Sequence, residues 1–344
     1  MRAAVLRTYN APLSIEDVPE PDCPPDGVVL KVIACGICRS DWHGWTGEHP
    51  RVKPGQIQGH EYCGEVVEAG RDATWTKGDR VVAPFILACG ACPACQSGQQ
   101  NTCPNQRLPG FIEPGAFAEY VAVPLDHNLA RLPENLSPTV AAGLGCRVTT
   151  SWHALTGRAQ LQAGEWLAVH GTGGIGLSAA LLGKALGAHV VVVDVVQEKL
   201  DHALGLGIDA AVMAGEDTAE RIREITGGGA HVSVEALGIP ATVAASLDCL
   251  RPLGRHVQVG MPVGHTAVMA VNMNTVYMKN LALFGTRGMP SWRYPSLLSL
   301  ITRGVVDMAP LIAREVALSD ASEELAAFNG PTPPGVAVIT EFGR

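Results

Sequence analysis

Trp166-Leu167-Ala168-Val169-His170-Gly171-Thr172-Gly173-Gly174-Ile175-Gly176 carries an apolar run straight into a glycine-rich turn, and residues 174–186 continue with helical period. A bare G-x-G-x-x-G arises often by chance in a glycine-rich chain. Between a strand and a helix, each glycine has a job: Gly171 for the tight turn, Gly173 for close approach to a pyrophosphate, Gly176 for helix packing against the strand. The pyrophosphate would sit over Gly174 and Ile175 at the helix N-terminus, where free N–H groups and the helix dipole favour an anion. Asp194 ends the next apolar run, close to the expected spacing of about 20 residues. A carboxylate there accepts from ribose hydroxyls and repels a 2′-phosphate, which selects NAD over NADP.

Working outward, strands are expected at Trp166–His170, His189–Val193, Ala210–Met213, His231–Ala236 and His256–Gly260. Helices are expected between them at Gly174–Leu186, Glu198–Leu206, Thr218–Thr226 and Thr242–Leu250. Strict alternation of this kind means a parallel, doubly wound sheet with helices on both faces. Residues before about 140 read differently: short apolar runs at Val28–Ile33, Glu65–Glu68, Arg80–Pro84 and Ala118–Val123, separated by turns such as Pro24-Pro25-Asp26-Gly27. That texture predicts a mostly β, barrel-like region, and Val336–Thr340 reads as a closing strand.

The 344 residues suffice for roughly two domains at about 150 residues each. The chain carries 25 basic against 33 acidic side chains, a net charge of −8, with no basic stripe to neutralise a phosphate backbone, so nucleic acid is excluded as a partner. The densest apolar run, Val190–Val193, is cut by Asp194 and falls far short of the roughly 18 residues of a membrane span. Residues 1–10 lack the continuous apolar segment of a secretory signal, so a reducing cytoplasm is expected.

Ten cysteines in such a compartment call for an explanation other than disulfides. Cys89, Cys92, Cys95 and Cys103 crowd onto one loop with Gly90, Pro93 and Gly98. Four thiolates on a short loop suit a structural Zn²⁺, because no position is left for substrate; an iron–sulfur cluster uses the same number of thiolates, so spacing alone leaves the metal open. A second group combines Cys38, Arg39, Ser40, Asp41 and His43 with His60-Glu61 and, further on, Cys146. Two thiolates and one imidazole leave one tetrahedral position free, as catalytic zinc requires.

Taken in order, Gly36-Ile37-Cys38-Arg39-Ser40-Asp41-x-His43, Gly59-His60-Glu61, the four-cysteine loop, Cys146, and Gly171–Gly176 with Asp194 resemble the zinc-dependent alcohol dehydrogenases of the medium-chain dehydrogenase/reductase superfamily. The resemblance extends over essentially the whole chain. It implies an α/β protein with a GroES-like, mostly β catalytic domain (residues 1–146 and 286–344) and a Rossmann NAD-binding domain (residues 147–285) inserted between its two parts. It implies two zinc ions per chain, a catalytic one on Cys38, His60 and Cys146 with Glu61 as a transient ligand, and a structural one on Cys89, Cys92, Cys95 and Cys103.

In that reading Asp41 orients His60, and Ser40 passes the alcohol proton through the cofactor ribose to His43. Arg39 contacts the pyrophosphate, Lys199 the adenosine ribose, Thr150 and Ile175 the nicotinamide, and Val259 and Phe284 its carboxamide. Phe85 walls the substrate pocket, and Trp45 narrows its entrance. The short segment after Cys103 favours a homotetramer, with a homodimer as the alternative. Two departures stand out: Val336 where many relatives have Lys or Arg before the final strand, and the large Arg147 directly after Cys146. A polyol, amino-alcohol or threonine dehydrogenase is the second reading, weakened by the thiol at Cys146 where those enzymes tend to have a carboxylate. A catalytically silent binding protein is the third, weakened by the completeness of ligands and relay.

Overall fold

Val190, Val191 and Val192 are fully buried, and Val193 nearly so, as a strand covered on both faces demands. In the computed structural model, which describes residues 1–330 and 332–343, this run is part of the strand His189–Asp194. It pairs in parallel with Trp166–His170 on one side and Ala210–Met213 on the other. The sheet continues past Trp166–His170 with Ala230–Glu235, Leu250–Gln258 and Ala282–Gly285, giving six parallel strands. The chain therefore reverses its direction of travel across the sheet at Trp166–His170, the strand that carries the glycine turn. Such a reversal opens a crevice at the carboxyl ends of the strands, where a dinucleotide binds.

Gly171 takes φ +93°, a left-handed value that glycine adopts without strain. A Cβ on Gly176 would stand 1.7 Å from the Gly171 carbonyl oxygen, so helix Gly174–Ala185 can start this close to the strand only with glycine there.

The helices at Gln197–Gly205 and Thr218–Ile225 match expectation within a residue. Two differences have local causes. The helix expected at Thr242 begins at Pro240, where the fixed φ of proline suits a first turn. The strand expected at His256 begins at Leu250: Arg251-Pro252-Leu253-Gly254 reads as a turn, and Leu253 does adopt φ +63°, yet the irregularity is absorbed within one strand paired to Ala230–Glu235. The sixth strand, Ala282–Gly285, has only four residues and gives little period to read.

The other body is β. Val28–Gly36 pairs antiparallel with Glu61–Ala69, which pairs with Arg80–Ala83; Tyr120–Val123 adds to Val28–Gly36. The late strand Val336–Glu341 returns to this sheet, with its Ile339 opposite Cys35, and Ile312–Ala317 lies on its other side. Arg2–Leu6, a strand that sequence period does not reveal, pairs with Ser14–Asp17 and Gln56–Ile57. No helix among the described residues is long and apolar enough to cross a membrane.

Candidate active site and metal centres

Strand Val28–Gly36 ends where helix Arg39–Trp45 begins, and this junction delivers Cys38. The Asp41 carboxylate turns back to accept from the Cys38 backbone N–H at 3.0 Å and also accepts from Gly59 N–H at 3.2 Å. Its Oδ1 lies 2.9 Å from His60 Nδ1, so the proton sits on Nδ1 and the lone pair on Nε2. That Nε2 is buried without a hydrogen-bond partner, in a histidine of 0% exposure. An orphaned imidazole lone pair beside two thiols fits a metal ion better than any other occupant. Cys38, His60, Glu61 and Cys146 each offer one ligand atom, and all four atoms lie within 4.8 Å of one another. Between the two thiols the proton is shared unequally: the bond from Cys146 holds Cys38 well below the usual thiol range, and Cys146 is pushed well above it.

The four-cysteine loop is equally compact. Sulfur–sulfur separations are 3.4 Å for Cys92–Cys95, 3.5 Å for Cys89–Cys103 and 3.8 Å for Cys92–Cys103. Backbone N–H groups of Ala91 and Cys92 hold the Cys89 thiol down to about 6, whereas burial pushes Cys95 up to about 12. All four thiols converge, as a closed tetrahedral site needs. Cys35, Cys63 and Cys249 are core thiols as expected, but Cys23 is only half-buried.

Above Cys38 and Cys146 lies a cavity of about 800 Å³. Arg39, Ser40, His43, Phe85, Thr150, Ile175 and Val259 face it, together with His49, Phe111 and Arg287, which sequence reasoning did not single out. A Cβ on Gly173 would meet nothing within 4 Å, so the turn presents bare backbone to open space. His43 Nδ1 lies 2.7 Å from Oε2 of the exposed Glu48. The Arg39 guanidinium stacks over Trp42 and Phe328 and donates to the Phe328 carbonyl at 2.6 Å. Thr150 Oγ1 accepts from Gly288 N–H at 3.0 Å. Asp194 Oδ2 accepts from Thr172 N–H and Oγ1 at 2.8 and 2.6 Å, and Oδ1 from Val195 and Val196 N–H. Lys199 Nζ reaches Thr332 Oγ1 at 3.1 Å.

Two expectations are corrected. Trp45 does not narrow an entrance: it is 5% exposed in the barrel core, and its Nε1 donates to the Ala11 carbonyl. Phe284 is not among the residues facing the cavity; it packs on the hydrophobic core with Arg158 over its ring.

His49 was missed because its value is tertiary. Its ring stacks on Phe111 at 4.7 Å, and Phe111 in turn packs on His60 at 4.5 Å. Its Nδ1 accepts from Arg51 N–H at 3.3 Å, leaving Nε2–H as the donor. Burial, with the nearby Arg51 charge, lowers its pKa to about 4, so it is neutral near pH 7.

Comparison with known proteins agrees with this geometry. Residues 24–134 match the family described as "Alcohol dehydrogenase GroES-like domain" and residues 174–303 that described as "Zinc-binding dehydrogenase". An alcohol dehydrogenase of Geobacillus stearothermophilus is 37% identical over 268 residues, covering 76% of this chain and 78% of its own. An L-threonine 3-dehydrogenase of Pyrococcus furiosus is 32% identical over 337 residues, 93% of each. Among solved structures, alcohol dehydrogenase TADH from Thermus sp. ATN1 superimposes with a TM-score of 0.91 at 29% identity, covering 99% of this chain and 100% of its own. Conjoined with a histidine nitrogen left bare between two cysteines at the floor of a dinucleotide crevice, these likenesses mean that the chain belongs to the zinc-dependent alcohol dehydrogenases of the medium-chain dehydrogenase/reductase superfamily.

Proposed function

We propose that in this NAD-dependent alcohol dehydrogenase Cys38, His60 and Cys146 hold the catalytic zinc, and that Ser40, His43 and Glu48 carry the alcohol proton to solvent. The observation that carries the reading is the partnerless, fully buried Nε2 of His60 between the two thiols. Zinc at that position supplies Lewis acidity toward an alcohol or carbonyl oxygen, and NAD across the glycine turn exchanges the hydride. Asp41 fixes the imidazole, Ser40 takes the substrate proton, and His43 passes it on to Glu48 at the surface. Phe85 and Phe111 keep water from the reacting carbon. Gly171, Gly173, Gly174 and Gly176 cradle the pyrophosphate with Arg39, while Thr150, Ile175 and Val259 hold the nicotinamide. For Asp194 to read the ribose diol, the Thr172 hydroxyl must yield its bond.

The amino-alcohol reading draws on the threonine dehydrogenase relatives. Against it, no Asp or Glu is found among the described residues facing the cavity, so a substrate ammonium would meet Arg39, Arg158 and Arg287 without a counter-charge. The second zinc belongs to Cys89, Cys92, Cys95 and Cys103. Residues 1–146 with 286–344 form the catalytic domain and 147–285 the cofactor domain, a division supported by the return of Val336–Glu341 to the barrel sheet. Self-association, as a homotetramer or a homodimer, is supported by exposed Met273, Tyr277 and Met278 beside the sheet-edge strand Ala282–Gly285. Free thiols throughout suit the reducing cytoplasm.

The deciding experiment is NADH absorbance with primary, secondary, aromatic and polyhydroxy alcohols and amino alcohols, on protein whose zinc content has been counted. Turnover of neutral alcohols with two zinc ions per chain is expected; zinc-loaded, NAD-binding protein silent toward every alcohol would return the chain to a binding role.

A further inference from the structure

Arg147 is 2% exposed and heads the largest fully buried side chains of the protein. Its backbone N–H and Nε donate to Glu61 Oε1 at 3.2 and 3.1 Å, and its Nη2 donates both to Glu61 Oε2 and, at 3.0 Å, to the Ile37 carbonyl. Ile37 precedes Cys38, Glu61 follows His60, and Arg147 itself follows Cys146. One guanidinium thus bonds the chain beside every ligand of the catalytic centre.

Space for the pair is made on both sides. A Cβ on Gly36 would stand 2.6 Å from Glu61 Oε2 and 3.2 Å from Arg147 Nη2. A Cβ on Gly174, in the cofactor turn, would stand 3.2 Å from Arg147 Nη1 and 3.4 Å from Val336 Cγ1. The two departures of the sequence, Arg147 and Val336, thus both border Gly174 of the cofactor turn. Nη1 is buried without a hydrogen-bond partner, so the guanidinium is held here for Glu61 and Ile37 at the expense of its own last donor.

Glu61 is fully buried and close enough to the thiols to be a fourth ligand. A buried carboxylate stripped of its cation turns to the nearest remaining positive charge. We propose that Arg147 is a positioning residue which, by engaging both oxygens of Glu61, keeps that carboxylate off the catalytic metal and reserves the fourth position for substrate. The proposal rests on the functional reading above.

The test uses the full-length protein with Co²⁺ exchanged for Zn²⁺ and imidazole as the probe of the open position, followed by visible absorption. The closed four-thiolate site gives no imidazole-dependent change. In Arg147→Met, imidazole affinity is expected to fall by about tenfold or more, the usual scale for loss of an outer-shell partner. Arg147→Lys, which keeps the charge but not the fork, should lie between. In the double variant Arg147→Met with Glu61→Gln, affinity should return to the wild-type value, since a neutral amide competes poorly for the metal. Wild-type affinity and spectrum in Arg147→Met, or a double variant as weak as the single one, would overturn the proposal. If Arg147→Met does not fold, Arg147→Lys against Arg147→Lys with Glu61→Gln gives the same comparison. Wild-type protein that takes up no imidazole-sensitive Co²⁺ overturns the functional reading instead.

Discussion

His60 gives one ring nitrogen to Asp41 and leaves the other without a protein partner, and the proposed site divides the remaining work among the residues around it. Ser40 and His43 both face the cavity, His43 bonds Glu48, and the proposed proton path begins at Ser40. Ser40→Ala should leave zinc content and the NAD dissociation constant unchanged while lowering kcat near pH 7 by about a hundredfold, the lower range for a lost proton-transfer group. NADH absorbance and titration calorimetry together check this, and an unchanged kcat removes Ser40 from the path. His49 offers a neutral Nε2–H beside aromatic Phe111. In His49→Phe, the ratio of kcat/KM for an apolar alcohol over a polyhydroxy one should rise by about tenfold, as expected when a hydrogen-bonding wall turns apolar. Ser40, His60 and Cys146 were legible because each sits in a short motif or at a set place in the motif order. His49 and Glu48 were not, and Arg147 stood out by its size without its partner Glu61, since such meanings arise only when distant segments are brought together. Trp45 misled for the same reason: its nearness to His43 in sequence says nothing about which side of the helix faces the cavity.

At the scale of elements, the glycine turn and the cysteine loop read best, because both are closed within a few residues and their spacing is the chemistry. Gly176 is legible as glycine, and the 1.7 Å approach to the Gly171 carbonyl is the steric reason. Strand Leu250–Gln258 was half hidden because a turn-like Pro-Leu-Gly lies within it, and parallel pairing to Ala230–Glu235 overrides that local preference. The cysteine loop makes few contacts with the rest of the apolar core: Cys95 and Cys103 cluster only with Ala88 and the two other loop thiols. On the functional reading proposed above, the metal is what would draw the four thiols together. Cys103→Ser should lower the zinc count from two to one per chain and reduce Tm by about 2–4 °C for each kcal/mol lost, as for chains of a few hundred residues. Metal analysis and a thermal scan decide it; retention of both zinc ions would mean that Cys103 is no ligand.

For the whole molecule, buried histidines in the cofactor unit link stability to pH. Burial lowers His170 to about 3 and His256 to about 4, and His256 Nδ1 lies 3.0 Å from Ser246 Oγ. An unfolded histidine titrates near 6.5. Below that pH the unfolded chain binds protons that the native one refuses, so stability is complete above about pH 6.5 and declines as pH falls toward the native values. Each such histidine contributes a slope of up to about 1.4 kcal/mol per pH unit in that window. His256→Asn, whose amide keeps a partner for Ser246, should flatten the decline by about that amount in urea unfolding between about pH 6.5 and 4.5. An unchanged slope would show that His256 is protonated in the native state.

The strand Val336–Glu341 lies between Ile312–Ala317 and Val28–Gly36, with Ile339 opposite Cys35. Everything between those two residues, including the entire cofactor unit, comes earlier in synthesis than this pairing. Closing so long a loop adds little to its equilibrium cost but delays the contact in time. The strand beside Cys38 is therefore completed on that side only by residues from the far end of the chain. Until the late strand arrives, the Cys35–Gly36 end of strand Val28–Gly36 lacks that partner, and a bare strand edge of this kind is one that another chain can pair with.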